Sequence, residues 1–276
     1  MTWDLDFFIV ALGVGTIAAA AAIARSIARS RRRRRLFAAP FPPEWEKVLE
    51  RNVPLVARLP EPLKADLKGL VNVFVAEKNF EGCGGLEMTD EIRVTVAAQA
   101  CVLLLNRKTR RYPRLISILV YPDAYLARGV QRLGRYWVEG TDVRGGESWP
   151  NGAVVVTWDS ARRATGDLDD GHNIVLHEFA HQLDQEDGHA DGVPVLDQRS
   201  SYVAWGRVLG KEFARLQRAV GRGRPTVLDE YGATNEAEFF AVATETFFEK
   251  SRQFKEVKPQ LYEALKDYYK LDPAEW

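Results

Sequence analysis

The residues His177-Glu178-Phe179-Ala180-His181 form an H-E-x-x-H pattern, which decides the expected fold of this chain. On an α-helix, residues four apart lie one above the other on the same face, so both imidazoles can point at one metal ion. Glu178 stands beside the first histidine, where its carboxylate can reach a water molecule without binding the metal. The pattern therefore predicts a helix that holds one Zn²⁺ through His177 and His181, with Glu178 as the general base.

The remaining histidines do not complete this zinc site. Catalytic zinc usually has three protein ligands and one open position, so a third ligand is expected elsewhere in the chain. His172 faces away from the pair on a helix, and His189 follows the glycine that is expected to end that helix. A metzincin needs Gly at position 184 and His at position 187, where this chain has Asp184 and Asp187. Asp184 lies on the ligand face and is instead expected to orient the imidazole of His181.

A second helix, predicted over residues 235–250, carries the carboxylates that can supply the third ligand. They are Glu236, Glu238, Glu245 and Glu249. Glu238 and Glu245 are seven residues apart and share a helix face, so one can bind zinc while the other orients a ligand histidine. Spacing alone favours these two and leaves the choice open.

Composition indicates an ordinary globular protein. The chain has 276 residues, of which 46% are hydrophobic and 28% charged, and its formal net charge is zero. This balance supplies a core and argues against a direct nucleic-acid partner. Cys83 and Cys101 are too few for a disulfide framework and are expected to be reduced thiols.

The N-terminal segment differs from the rest of the chain. Residues 7–24 contain no charged side chain; Asp4 and Asp6 precede them, and Arg25, Arg29 and the run 31–35 follow. A run of this length is near the lower limit for crossing a bilayer, and arginines beside it favour the cytoplasmic side. We expect residues 1–36 to be a single-pass anchor in the inner membrane, 37–43 a linker, and 44–276 a cytoplasmic domain.

The order of the predicted elements indicates an α+β domain. Helices are expected over 44–52, 60–79 and 90–105, strands over 115–121, 136–143 and 153–158, and then the H-E-x-x-H helix and helices over 202–220, 235–250 and 259–269. Residues 169–171 are expected to start the H-E-x-x-H helix, and Gly188 to end it. The strand over 153–158 is expected to be a sheet edge along which an extended substrate peptide binds.

Three stretches carry a more specific resemblance: VLHEFAHQLD at 175–184, DGHADGVP at 187–194 and YGATNEAEFFA at 231–241. Over residues 41–272 the chain resembles the Mlc titration factor A family of zinc metallopeptidases. Their gluzincin-like catalytic core is similar to the peptidase domain of anthrax lethal factor, so the resemblance implies a zincin-like metallopeptidase domain. It also implies a third zinc ligand at Glu238, a general base at Glu178 and an oxyanion-stabilising hydroxyl at Tyr231.

The resemblance has consequences for activity and partners. It implies hydrolysis of a peptide or protein substrate and binding to a transcriptional repressor of the Mlc type, which controls glucose uptake. The alternative is a non-catalytic anti-repressor that uses the zinc fold as a binding scaffold. A closed structural zinc site is disfavoured because no cysteine lies near the histidines. This chain departs from the family at Glu236, where proline is frequent, and in its N-terminal anchor.

Overall fold

The computed structural model describes the backbone of residues 3–107, 109, 111–123, 125–133, 136–144, 146–149, 152–163 and 172–276. The chain divides into two compact units, Met1–Pro40 and Phe41–Trp276. The second unit contains the H-E-x-x-H pattern and all the other candidate site residues.

The first unit is built on one helix, α1 (Trp3–Phe37), which is 35 residues long. Its described apolar side chains are largely exposed, for example Leu12 and Ile17. Arg34 and Arg35 lie in its last turn, where positive charge interacts favourably with the helix dipole. Within the part of the chain that the structure describes, no helix is both long and apolar enough to cross a bilayer. The membrane anchor stays a prediction.

The second unit begins with three helices, and a fourth helix follows its first strand. They are α2 (Pro43–Asn52), α3 (Pro54–Arg58), α4 (Glu61–Glu77) and α5 (Asp90–Val102). Three of them carry proline in the first turn, where its missing N–H removes no helical hydrogen bond. The hydroxyl of Thr89 caps α5 by accepting the N–H of Ile92. The predicted helices over 60–79 and 90–105 are thus confirmed in type and end two to three residues early.

The described part of the chain contains six strands. They are β1 (Asn79–Gly82), β2 (Ser117–Tyr121), β3 (Tyr125–Leu133), β4 (Tyr136–Arg144), β5 (Gly146–Trp149) and β6 (Ala153–Thr157). β3 and β4 form an antiparallel pair, and the other four form a sheet in the order β1-β2-β6-β5. β1, β2 and β6 are parallel, whereas β5 is antiparallel to β6. The α+β class is confirmed, with three strands that the sequence did not predict.

The prediction that residues 153–158 form a sheet edge is wrong. β6 pairs with β2 on one side and with β5 on the other, so both of its backbone edges are used. The burial of β6 is continuous and does not alternate, because Val154, Val155 and Val156 are all buried, as expected of a strand covered on both faces. Among the described strands, β5 is the outermost on that side of the sheet.

The remaining helices form the other part of the domain. They are α6 (Trp158–Arg163), α7 (Ile174–Asp184), α8 (Arg199–Val220), α9 (Glu236–Glu249), α10 (Ser251–Val257) and α11 (Pro259–Tyr269). α7 carries the H-E-x-x-H pattern and contacts α9, α5, β5 and β6. Every residue of α7 from Val175 onward is buried, so this helix lies at the centre of the unit.

The first turn of α7 starts later than predicted. Residues 169–171, which were expected to start it, lie outside the described part of the chain. Asn173 is the N-cap, and its side chain accepts the N–H of Leu176 at 3.0 Å. A short 3₁₀ turn follows α7, and Gly188 then adopts a left-handed conformation with φ of 103°, as predicted for the stop.

α9 is buried on most sides because it packs against α7, α8 and α11 at once. Phe239, Phe240, Phe247 and Phe248 are each at most 1% exposed. Phe247 and Phe248 also contact the ring of Tyr269 on α11. This burial explains the dense apolar sequence of α9 and fixes the place of the carboxylates that it carries.

Candidate metal centre

Three side chains from α7 and α9 bring one donor atom each to a common point. The Nε2 atoms of His177 and His181 are 3.2 Å apart, and Oε2 of Glu238 lies 2.9 Å from the first and 3.3 Å from the second. Both histidines are buried, and the side chain of Glu238 is 18% exposed. Among the described residues, this trio forms the one group of His, Cys, Asp and Glu that could hold a metal ion.

The spacing of the trio fits a zinc ion. Donors arranged tetrahedrally at about 2.0–2.1 Å from Zn²⁺ lie about 3.3 Å from one another. The measured separations of 2.9, 3.2 and 3.3 Å are close to this value. Two imidazoles and one carboxylate are also the donor set of many catalytic zinc sites, which leave one position open.

Glu245 orients His177 from behind. Its Oε1 lies 2.6 Å from Nδ1 of His177, and its Oε2 accepts the backbone N–H of Asn173 at 2.7 Å. Because an ionised carboxylate only accepts hydrogen bonds, Nδ1 of His177 carries a hydrogen, which leaves Nε2 to face the trio. Thus Glu238 supplies the third donor of the trio, whereas Glu245 orients His177 through a hydrogen bond.

The carboxylates around the trio favour positive charge there. Burial opposes the charge of His177, but hydrogen bonds with Glu238 and Glu245 outweigh it and raise the His177 pKa well above its usual value. Burial likewise raises the pKa of Glu238, yet hydrogen bonds with His177 and His181 lower it to about 2. A metal ion that binds here must displace the proton from His177, so binding is expected to release protons.

Glu178 and Tyr231 lie beside the trio. Glu178 follows His177 directly on α7 and is 4% exposed, and its negative charge contributes to the raised pKa of His177. Tyr231 lies in a 3₁₀ turn (Glu230–Ala233) whose N-cap is Asp229. Its ring centroid is 6.0 Å from that of His177, and the side chain is 54% exposed. The structure therefore places a buried carboxylate and an exposed phenol next to the donor atoms.

Asp184 does not make the contact with His181 that the sequence predicted. Its Oδ2 accepts the backbone N–H of Gly192 at 3.0 Å, and no hydrogen bond joins it to His181 in the described part of the chain. Burial raises the pKa of Asp184 to about 6. The prediction failed because the loop after α7 folds back, so that a backbone N–H of this loop and not His181 is the partner of the carboxylate.

The other candidates lie away from the trio. His172 is exposed, with Nε2 3.6 Å from Oδ2 of Asp229, and His189 is exposed in the loop after α7. Glu236 is exposed in the first turn of α9, while Glu249 is buried near its end. Neither glutamate belongs to the donor trio.

Two capping residues that sequence reasoning missed help to position the donors. Asn173 caps α7 and also donates its own N–H to Glu245. Asn235 caps α9, and its side-chain oxygen accepts the N–H of Glu238 at 3.0 Å. An Asn three residues before a Glu is a recognisable helix-start signal, so Asn235 could have been found from the sequence.

A helix with two histidine donors, packed against a second helix that adds a carboxylate, defines a metallopeptidase-like domain. The chain belongs to the family described as glucose-regulated metallo-peptidase M90, whose model matches residues 27–270. This finding confirms the family resemblance drawn from the sequence.

Relatives cover most of the chain. It is 43% identical over 244 residues to a protein of Synechocystis sp. named "Uncharacterized protein slr2042", covering 88% of this chain and 89% of that protein. It is 28% identical over 240 residues to Mlc titration factor A of Yersinia pestis (strain Pestoides F), covering 83% of this chain and 85% of the relative. Mlc titration factor A of Yersinia pseudotuberculosis (strain IP 31758) gives the same values.

Proposed function

We propose that this chain is a zinc-dependent peptidase with a zincin-like domain, and that it hydrolyses bonds in a peptide or protein substrate. The observation that carries the proposal is the donor trio of His177, His181 and Glu238, with separations of 2.9–3.3 Å on two buried helices. Membership of a metallopeptidase family supports the same conclusion.

The side chains around the trio have separate tasks in this proposal. When bound, zinc lowers the pKa of water to about 7 and polarises the carbonyl group of the substrate. Glu178 accepts the proton of the attacking water and passes it to the leaving amine. Glu245 keeps the Nδ1 hydrogen of His177 in place, so that Nε2 stays a donor to the metal. β5, the outermost strand beside α7, offers a backbone edge for an extended substrate.

Removal of the metal is expected to abolish hydrolysis. The full-length chain is treated with a chelator, its metal content is measured, and cleavage of a mixed peptide library is followed by mass spectrometry. We expect cleavage to disappear and to return when one equivalent of Zn²⁺ is added, because the trio holds one ion. Cleavage that persists in protein shown to be free of metal would contradict the proposal.

We propose that the hydroxyl of Tyr231 stabilises the oxyanion of the reaction. Its ring lies beside His177 and is half exposed, so it can approach a substrate bound at the trio. Loss of one such donor typically lowers kcat by about 10²–10³-fold. Tyr231→Phe is therefore expected to lower kcat by that factor with little change in zinc affinity. The matched control is Tyr202→Phe, since Tyr202 is also partly exposed but lies on α8. A kcat of Tyr231→Phe equal to that of the control would exclude this role.

A second candidate function is binding to a repressor of the Mlc type, which is supported by the name Mlc titration factor A that two relatives carry. This function needs the folded surface and not the general base. Binding of purified Mlc-type repressor to the unaltered chain and to the Glu178→Gln variant separates the two functions. Equal binding by a variant without hydrolysis indicates an interaction function independent of catalysis, whereas absence of binding in both chains removes this candidate.

We also propose that the chain is attached to the inner membrane with its domain in the cytoplasm. The support is the uncharged run at residues 7–24 and the arginines that follow it. Extraction of membranes with alkaline carbonate tests the proposal, since a spanning helix keeps the chain in the pellet. Full release into the supernatant would overturn it.

A further inference from the structure

A buried hydrogen bond ties the end of α7 to the loop that follows it. Asp184 is the last residue of α7, is fully buried, and its Oδ2 accepts the N–H of Gly192 at 3.0 Å. Burial of a carboxylate costs free energy unless its oxygens find donors. The bond therefore fixes the position of Gly192 relative to the helix that carries His177 and His181.

The backbone of Gly192 in turn lies in close contact with the start of α9. Its φ is +75°, and a Cβ added there would lie 2.3 Å from the carbonyl oxygen and 2.7 Å from the carbonyl carbon of Glu236. Both are backbone atoms that cannot rotate away, so only glycine fits in this conformation at this distance. Glu236 is the first residue of α9 and precedes Glu238 by two positions. The loop thus contacts the helical turn that carries Glu238.

Trp205 on α8 holds the same glycine from a third direction. Its indole Nε1 donates to the carbonyl oxygen of Gly192 at 3.1 Å, and the side chain is almost fully buried. Its ring packs edge-on against Phe240, with centroids 5.9 Å apart, two residues past Glu238 on α9. Gly192 is therefore fixed between α7, α8 and α9, and it cannot move without moving one of them.

We propose that Asp184 is a positioning residue for the metal centre, because its hydrogen bond to Gly192 holds the first turn of α9 and thereby places Glu238. We call Asp184 and Gly192 together the α7–α9 joint. The inference rests on the proposed zinc binding by the donor trio. A metal–donor bond requires its donors within a few tenths of an ångström, so a small shift of this turn weakens binding.

The test measures the zinc dissociation constant of the full-length chain by competition with a chromogenic chelator. Asp184→Ala and Gly192→Ala are each expected to weaken binding by about 10–100-fold, the usual effect of losing an outer partner of a metal site. Asp184→Asn keeps an oxygen that accepts the N–H of Gly192, so its affinity is expected to stay close to that of the unaltered chain. The double alanine variant is expected to lose little more than either single variant, because both changes break one joint.

Gly85→Ala is the matched control for backbone strain. Gly85 also has a left-handed φ, of +83°, but no atom lies within 4 Å of an added Cβ. Its alanine variant is expected to bind zinc as tightly as the unaltered chain. Thermal unfolding of each variant without metal shows whether it folds. If Asp184→Ala does not fold, the zinc affinities of Asp184→Asn, Gly192→Ala and Gly85→Ala decide whether the α7–α9 joint positions Glu238.

Two results would overturn the inference: unchanged zinc affinity in a folded Asp184→Ala or Gly192→Ala variant, or an Asp184→Asn variant as weak as Asp184→Ala. The proposed zinc binding by the donor trio fails in a different way. In that case the unaltered chain and its Glu238→Ala variant have the same zinc affinity, and this result does not depend on the affinities of the Asp184 and Gly192 variants.

Discussion

Glu178→Gln is expected to lower peptide hydrolysis by about 10²–10⁴-fold, the usual contribution of a positioned general base. The amide has nearly the shape of the carboxylate but cannot accept the proton of the attacking water. Glu178 is buried next to His177 on α7 and is not a member of the donor trio. Zinc content is therefore expected to remain one ion per chain, which metal analysis and turnover with a cleaved peptide measure together.

The control for this change is Glu236→Gln, which also converts a glutamate into an amide but at an exposed position outside the trio. Its turnover is expected to equal that of the unaltered chain. Undiminished hydrolysis by a zinc-loaded Glu178→Gln protein would end the assignment of Glu178 as the general base. Loss of zinc from that protein would show instead that Glu178 helps to hold the metal.

Glu238→Ala is expected to remove the metal. The change takes away the carboxylate of the trio and leaves two imidazole donors whose Nε2 atoms are 3.2 Å apart. Removal of a residue that only hydrogen-bonds a metal ligand weakens metal binding by about 10–100-fold. Loss of the Glu238 carboxylate should weaken zinc binding by more than this. Hydrolysis should disappear with it, and adding excess Zn²⁺ should restore it only weakly. Equilibrium dialysis followed by metal analysis gives the affinity.

Two other glutamates of α9 make this experiment specific. Glu236 lies in the same first turn but is exposed. The Glu236→Ala variant is therefore expected to keep the zinc affinity of the unaltered chain. Glu245→Ala removes the partner of Nδ1 of His177 and is expected to give an intermediate loss. If Glu238→Ala retains zinc while Glu245→Ala loses it, then Glu245 is the ligand and Glu238 the supporting residue.

The sequence predicted the order and type of most elements because they depend on local patterns. The helix over 259–269, for example, is found as α11 with the same bounds. Prediction failed where pairing decides the outcome. β1 and β5 are four residues each, too short to show a period, and they form only because β2 and β6 offer them backbone partners. Pairing also decides the central place of β6, with which its continuous run of valines is consistent.

Asp184 shows the same limit within the site. Its spacing from His181 predicted that it orients this imidazole, and the side chain is buried at the end of α7. Its partner is nevertheless a backbone N–H eight residues further along, in a loop without a periodic pattern. The left-handed conformation of Gly192 and its contact with Glu236 belong to this loop and cannot be derived from any short stretch of sequence.

The sequence by itself determined that His177 and His181 share a helix face with Glu178 beside the first, because helical geometry relates residues four apart. It also limited the third donor to Glu238 or Glu245, which seven-residue spacing places on one face of α9. Spacing did not decide between them and the family resemblance favoured Glu238, but only the tertiary structure shows which of the two reaches the histidines, since they lie about 10 Å apart along the helix axis. Packing sets the position of α9 along α7. In this fold it places Glu238 beside the two Nε2 atoms and Glu245 beside Nδ1 of His177.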